Sequence, residues 1–262
     1  MTPESRMVSV RNGMFQVQLS TAGQGEPLVF LHGGNGVNWS PFLEDLSRSF
    51  TVYVPRHPGW GESSGLDNLD DCVDMALFYL DFFDTLGLSS VNLLGTSLGG
   101  MFAAEIAALG GPYVKKLILQ APVGLWLDEV PAPDIFTLSP DEAARATFFD
   151  PAAAQALMPQ VDPEDKEAVA KANFERIKAQ TALAKFIWPI WDKGLKKRIH
   201  RIKAPTLLVW GDSDGLVPPA YGDEFKRRIP GSQLVIMPKT GHVPMVEQRE
   251  AFARIVTDFF KS

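Results

Sequence analysis

A serine with glycines two residues to either side stands near the middle of the chain, in Gly95-Thr96-Ser97-Leu98-Gly99-Gly100. The apolar run Val91-Asn92-Leu93-Leu94 precedes it, and Met101, Phe102, Ala104, Glu105 and Ile106 follow at spacings that predict a helix. A strand, a sharp turn and a helix form the setting in which G-x-S-x-G exposes a serine hydroxyl at a sheet edge. Partial positive charge at the helix N-terminus would favour the oxyanion formed when that hydroxyl attacks a carbonyl. Without the strand and the helix, the same residues would describe only a glycine-rich turn with a capping serine.

A serine hydroxyl is a poor nucleophile near neutrality and needs a base. The chain has four histidines, His32, His57, His200 and His242. His242, in Lys239-Thr240-Gly241-His242, comes just after Leu234-Val235-Ile236, so a final strand would deliver it to the same edge as Ser97. An imidazole base needs a carboxylate to fix its tautomer and stabilise its charged form. Trp210-Gly211-Asp212-Ser213-Asp214 offers two. Asp214 is the expected partner, because the turn must carry the acid past the strand end. Asp212 is the alternative, and its other role would be to hold the turn through side-chain-to-backbone bonds. The loop His32-Gly33-Gly34-Asn35-Gly36 follows another apolar run and lets backbone approach a substrate closely. The N–H groups of Gly34 and Leu98 are the expected oxyanion donors, with Asn35 as a side-chain contributor and His32 as a structural residue. Neither G-x-G-x-x-G nor a P-loop is present, which speaks against phosphate binding.

These residues need strands to carry them. Short apolar runs recur at Leu28–Leu31, Val52–Val54, Val91–Leu94, Leu117–Leu119, Thr206–Trp210 and Leu234–Ile236. Such runs read as strands buried on both faces of a mostly parallel sheet with helices on either side. Ahead of them, Val8 and Val10 lead through Asn12-Gly13, read as a two-residue turn, into the alternating stretch Phe15, Val17, Leu19, an antiparallel hairpin. Val73, Ala76, Leu77, Leu80 and Phe83 are expected to share the buried face of one helix, ended by Gly87. Phe252, Ile255, Val256, Phe259 and Phe260 form the stripe of the last helix.

From about Pro122 to Lys203 no strand pattern appears. Prolines at 131, 133, 140, 151, 159 and 163 punctuate helical stretches, the clearest running from about Glu164 to Phe186. The expectation is a core formed by 1–122 and 204–262, with 123–203 inserted as a helical cap over the carboxyl ends of the strands. Its aromatics, Trp126 and Trp188 among them, would divide between packing and the wall of an apolar pocket, to which Asn35 and Val243 would also belong. Lys193, Lys196, Lys197, Arg198, Arg201 and Lys203 read as a solvated surface helix, with carboxylate steering as the alternative.

The net charge is −6, from 25 basic and 31 acidic residues, so no electrostatic argument points to nucleic acid. With Cys72 the single cysteine, no disulfide can form within the chain, and that residue is expected to be a structural thiol. Neither a signal peptide nor a membrane span is readable, and a soluble cytoplasmic protein is the default expectation. The histidines and the cysteine show no metal-ligand spacing, so no metal and no cofactor are expected. Nothing in the sequence encodes an oligomeric state.

Together these stretches resemble the α/β-hydrolase superfamily, particularly its small bacterial esterases and carbon–carbon hydrolases, from Leu28 to Phe260. The marks are His32-Gly33-Gly34, Pro58-Gly59-Trp60-Gly61-Glu62-Ser63, the Ser97 turn, Trp210–Asp214, and Gly241-His242 followed by Glu247. The resemblance implies an α/β-hydrolase fold and a Ser97–His242–Asp214 triad acting on a small-molecule substrate. Arg56-His57 stand where the family often has an aspartate, and Val243-Pro244 where ring-cleavage-product hydrolases often carry tryptophan after the histidine. The leading expectation is hydrolysis of an apolar carboxylic ester. The alternatives are carbon–carbon bond hydrolysis, perhydrolysis, or a ligand receptor that keeps the fold without turnover.

Overall fold

The computed structural model describes residues 2–157, 161–189 and 191–262. Pro159 lies outside the described residues. At the N-terminus β1 (Glu4–Val10) pairs antiparallel with β2 (Phe15–Ala22), Val10 facing Phe15. The connection is the four-residue Arg11–Met14 rather than a two-residue turn, because Arg11 joins Asn12 and Gly13 at positive φ. β2 runs antiparallel to β4 (Thr51–Pro55), and every later pairing is parallel.

The remaining strands are β3 (Pro27–Leu31), β5 (Val91–Thr96), β6 (Val114–Gln120), β7 (Thr206–Gly211) and β8 (Gln233–Met237). Eight strands form one sheet in the order β1-β2-β4-β3-β5-β6-β7-β8. β5 and β7 are wholly buried, as continuous apolar runs require. β8 is the exception. It is the edge strand, and Ile236 is exposed instead of covered on both sides.

Helices cover both faces. On one lie α1 (Pro41–Ser47) and α9 (Arg249–Lys261), with Phe42 stacked on Phe252 at 5.0 Å between ring centres. On the other lie α2 (Cys72–Thr85), α3 (Leu98–Leu109) and α7 (Ala220–Arg228). Asp71 caps α2, accepting from the N–H groups of Val73 and Asp74, and Gly87 at φ 68° follows its end. The buried side of α2 is Cys72, Met75, Ala76, Phe78, Tyr79, Phe82 and Phe83; Leu77, expected inside, is exposed. A segment this apolar offers two competing stripes, and the bulkier aromatic one faces the sheet.

Between β6 and β7 the described residues hold no strand. They form α4 (Pro140–Thr147), α5 (Pro151–Leu157) and α6 (Lys166–Ile187), each short of the sheet itself. Ser139 and Glu142 close a reciprocal capping box on α4, and Asp165 caps α6. The basic stretch after α6 is no free helix but two single turns tied to the molecule. Arg198 binds Glu105 of α3 through two hydrogen bonds, of 2.7 and 2.5 Å, and Arg201 donates to the Ala108 carbonyl. The chain after β8 turns through the short α8 (Pro244–Glu247) into α9.

Candidate active site

Ser97 sits between β5 and α3 at φ 52°, ψ −115°, a conformation rarely adopted by a residue with a side chain. The glycines explain how the turn closes. A methyl group on Gly99 would lie 2.2 Å from the Leu31 carbonyl oxygen, and one on Gly95 would lie 2.3 Å from the Gly99 oxygen. The Ser97 N–H donates to the Gln120 carbonyl at 2.9 Å, and its own carbonyl accepts from Met101 and Val123. Every other residue from Val91 to Ala108 is buried; Ser97 alone retains access to solvent.

Asp214 follows β7 and is buried. One carboxylate oxygen accepts from the N–H groups of Leu216 and Val217, at 3.0 and 2.9 Å, and the other from His242 Nδ1 at 2.7 Å. A carboxylate oxygen can only accept there, so Nδ1 carries a proton, and in the neutral ring Nε2 keeps its lone pair. Asp212 is exposed and turns elsewhere, accepting from the Ser213 hydroxyl and the Thr240 N–H. Of the two carboxylates, only Asp214 meets the imidazole. Among the described residues no hydrogen bond joins the Ser97 hydroxyl to His242 Nε2; contacts of this kind commonly tighten only around bound substrate.

The loop holding His242 is fixed from three sides. Gln120, at the end of β6, donates from its side chain to the His242 carbonyl at 3.0 Å, while its own carbonyl receives the Ser97 N–H. The His242 N–H donates to the Thr147 carbonyl at the end of α4. Glu247 accepts from the N–H groups of Gly241 and Phe149, joining the histidine loop to the α4–α5 segment. Sequence reading singled out none of these holding roles. Gln120 left one faint signal, a polar side chain ending an apolar run.

Gly34 and Leu98 supply two further N–H groups, for which the described residues offer no acceptor. The Gly34 carbonyl is pinned by the Trp60 indole N–H at 2.7 Å, and Leu183 of α6 packs on Gly34 from outside. Asn35 is exposed and Val243 half-buried. Trp126 is half-buried with its indole N–H on Asp128, and Trp188, at the end of α6, is 58% exposed. Cys72 is buried, and burial pushes its thiol up to about 12. Among the described residues no helix is long and apolar enough to cross a membrane.

This arrangement has counterparts. The profile of the alpha/beta hydrolase fold matches residues 26–248. The 2-hydroxy-6-oxo-6-phenylhexa-2,4-dienoate hydrolase of Burkholderia cepacia is 28% identical, covering 94% of this chain and 91% of its own. Lipase 1 of Psychrobacter immobilis is 31% identical over 85% of this chain and 73% of its own. Among solved structures, a bacterial membrane phospholipase A superposes with a TM-score of 0.80 at 24% identity, covering 99% of this chain and 86% of that one. A sheet of this order, a strained serine between strand and helix, and a match over most of the length agree: the chain is an enzyme of the α/β hydrolase family.

Proposed function

We propose that the protein hydrolyses a carboxylic ester of an apolar small molecule through an acyl-enzyme on Ser97. The observation that carries this reading is the buried Asp214–His242 pair, whose tautomer leaves Nε2 as a base at the sheet edge where Ser97 stands. In the first step His242 Nε2 takes the Ser97 proton as Oγ bonds to the ester carbonyl carbon. The N–H groups of Gly34 and Leu98 receive the resulting oxyanion, each contributing about 3 kcal/mol. His242 then returns the proton to the departing alkoxide, leaving the acyl group on Ser97. Water, deprotonated by the same imidazole, adds to the acyl carbon, and the carboxylic acid leaves as Ser97 regains its proton.

Residues 123–203 are proposed to act as a cap over this edge, and 1–122 with 204–262 as the catalytic core. Supporting this, Leu183 lies against Gly34, and the Ala146 and Thr147 carbonyls accept from Gly215 and His242. Asn35, Val243, Trp126 and Trp188 are proposed to line the substrate pocket, Asn35 and Val243 as chain neighbours of Gly34 and His242.

The test is a panel of p-nitrophenyl esters of increasing acyl length, run beside a vinylogous diketone, with Ser97→Ala as control. Labelling of Ser97 by a fluorophosphonate and turnover of esters with apolar acyl groups are expected. Turnover of the diketone alone would favour the carbon–carbon hydrolase chemistry of relatives such as the Burkholderia cepacia enzyme. Ester turnover undiminished in Ser97→Ala would end the proposal.

A further inference from the structure

Two buried imidazoles that the proposed reaction does not use lie directly behind the loop carrying Gly34. His32 and His57 are almost wholly buried, with ring centres 3.8 Å apart. Their hydrogen bonds settle where each proton sits. The His57 main-chain N–H donates to His32 Nε2 at 3.1 Å, so that nitrogen must be bare. His32 Nδ1 then carries the proton and donates it to the Gly33 carbonyl at 2.7 Å. His57 Nε2 faces the His32 carbonyl at 2.9 Å and must be protonated, leaving Nδ1 to accept from the Tyr79 hydroxyl. The bare Nε2 makes His32 neutral, and burial, which holds His57 down to about 4, keeps that ring neutral as well. Burial above all, then His57 and Arg56, hold His32 well below the usual imidazole range.

The Gly33 carbonyl also accepts the Gly36 N–H at 3.1 Å. A peptide group is planar and trans, so the Gly33 C=O and the Gly34 N–H belong to one rigid unit and point in opposite directions. Holding the oxygen against His32 and Gly36 therefore aims the Gly34 N–H the other way. Two donors on that oxygen also polarise the peptide and strengthen the N–H as a donor. We infer that His32 is a positioning residue for the Gly34 oxyanion donor, kept in one tautomer by the His57 main-chain N–H, while the His57 ring, held by the Tyr79 hydroxyl, fixes the His32 carbonyl. The inference rests on the esterase reading above.

The first test uses the unaltered protein with 15N-labelled histidine, correlating ring nitrogens with ring protons. His32 should show the Nδ1–H tautomer and His57 the Nε2–H tautomer, both neutral at pH 6, with signals assigned by their loss in His32→Asn and His57→Gln. His32 found as Nε2–H, or protonated, would overturn the inference whether or not any variant folds. The second test is kinetic, with p-nitrophenyl butyrate as probe. His32→Phe keeps the bulk and loses the donor; it should lower kcat at least about tenfold while KM moves about twofold or less. Its affinity for a trifluoromethyl ketone should fall in parallel with kcat. His32→Asn places an amide N–H near the position of Nδ1 and should restore kcat to within about threefold of the unaltered enzyme. Equal loss in both variants, or none in His32→Phe, overturns the inference. A fluorophosphonate that fails to label Ser97 in the unaltered protein would sink the esterase reading and this inference together. Labelling with the wrong His32 tautomer would sink this inference alone.

Discussion

The contact between Glu105 and Arg198 ties the return segment before β7 to α3, the helix that begins at Ser97, and its two partners should respond unequally to removal. Glu105 is 1% exposed, whereas 22% of the Arg198 side chain reaches solvent. The guanidinium gives the carboxylate two charge-assisted hydrogen bonds, and that contact raises the Arg198 pKa further. Arg198→Met leaves a carboxylate without its cation in a place water does not reach, which costs about 3–5 kcal/mol. Glu105→Gln leaves an arginine that can turn towards water and still donate to the amide oxygen, costing about 1–2 kcal/mol. Glu105→Leu combined with Arg198→Met replaces the pair with apolar groups and should be more stable than Arg198→Met alone. Urea unfolding followed by tryptophan fluorescence measures all of these. With a slope of about 3 kcal/mol/M, Arg198→Met should lower the midpoint by about 1 M or more, and Glu105→Gln by about half that. A larger loss in Glu105→Gln than in Arg198→Met would refute the reasoning, since it would place the cost on the partner that solvent can rescue.

Acid should weaken the fold before carboxylates titrate. Burial holds His57 down to about 4, and His32 also well down, so below about pH 6.5 the unfolded chain binds protons that the folded chain refuses. For His57 the gap between 6.5 and about 4 corresponds to about 3 kcal/mol, lost progressively as pH falls through that window. A urea midpoint unchanged between pH 7 and pH 4.5 would contradict this. The Cys72 thiol, buried and pushed up to about 12, should resist a disulfide reagent in buffer and react once per chain in urea. Rapid reaction of the folded protein would show that the thiol is exposed. Gln120→Met keeps the main-chain bond to Ser97 but loses the one to the His242 carbonyl, so kcat on an aryl ester should fall about tenfold. Unchanged kcat would mean that Thr147 and Glu247 suffice to hold the histidine loop.

Much of the scaffold was legible because buried parallel strands announce themselves as unbroken apolar runs. Each of the six runs read from the sequence lies in a strand of the sheet. The errors have specific origins. Arg11 adopts positive φ beside Asn12-Gly13 and lengthens the first turn, which no composition rule anticipates for arginine. In α2 the run Phe78-Tyr79 and Phe82-Phe83 offers more than one apolar stripe, and tertiary packing chose among them. The run in β8 looked like the others, but an edge strand is covered on one side only, and edge position is a property of topology. In the basic stretch 193–203 charge suggested solvent, which Lys196, Lys197, Arg201 and Lys203 do face, but it did not show that Arg198 turns to a buried Glu105 on another helix. The sharp turn at Ser97 and the meeting of Asp214 with His242 were readable from motif and chain order. The side chains that hold the His242 loop were not, since Gln120 and Glu247 act through partners that only the fold brings near, and single-chain periodicity carries no trace of pairing.

The strand order explains why those holding residues are needed. Ser97 follows β5 and Asp214 follows β7, with β6 between them. Neighbouring strands lie about 4.8 Å apart, so the two ends are separated by about 10 Å before any loop is counted. A carboxylate and a hydroxyl cannot meet across that gap, and an imidazole is the right size to bridge it only if its main chain is held over the middle. His242 leaves β8, the far edge, and must return past β7 to reach that place. The residue at the end of the intervening strand is Gln120, and it is Gln120 that grips the His242 carbonyl while accepting the Ser97 N–H. Through its side chain and its own carbonyl, this one residue ties the main chain of His242 to that of Ser97. His242 and Asp214 are joined by their own 2.7 Å bond. Placing an amide rather than an apolar residue at this buried position leaves its second polar atom, Oε1, without a partner among the described residues. A fold selected for stability alone would avoid that cost. Its presence at the end of β6 is consistent with a strand end shaped by the geometry of the site.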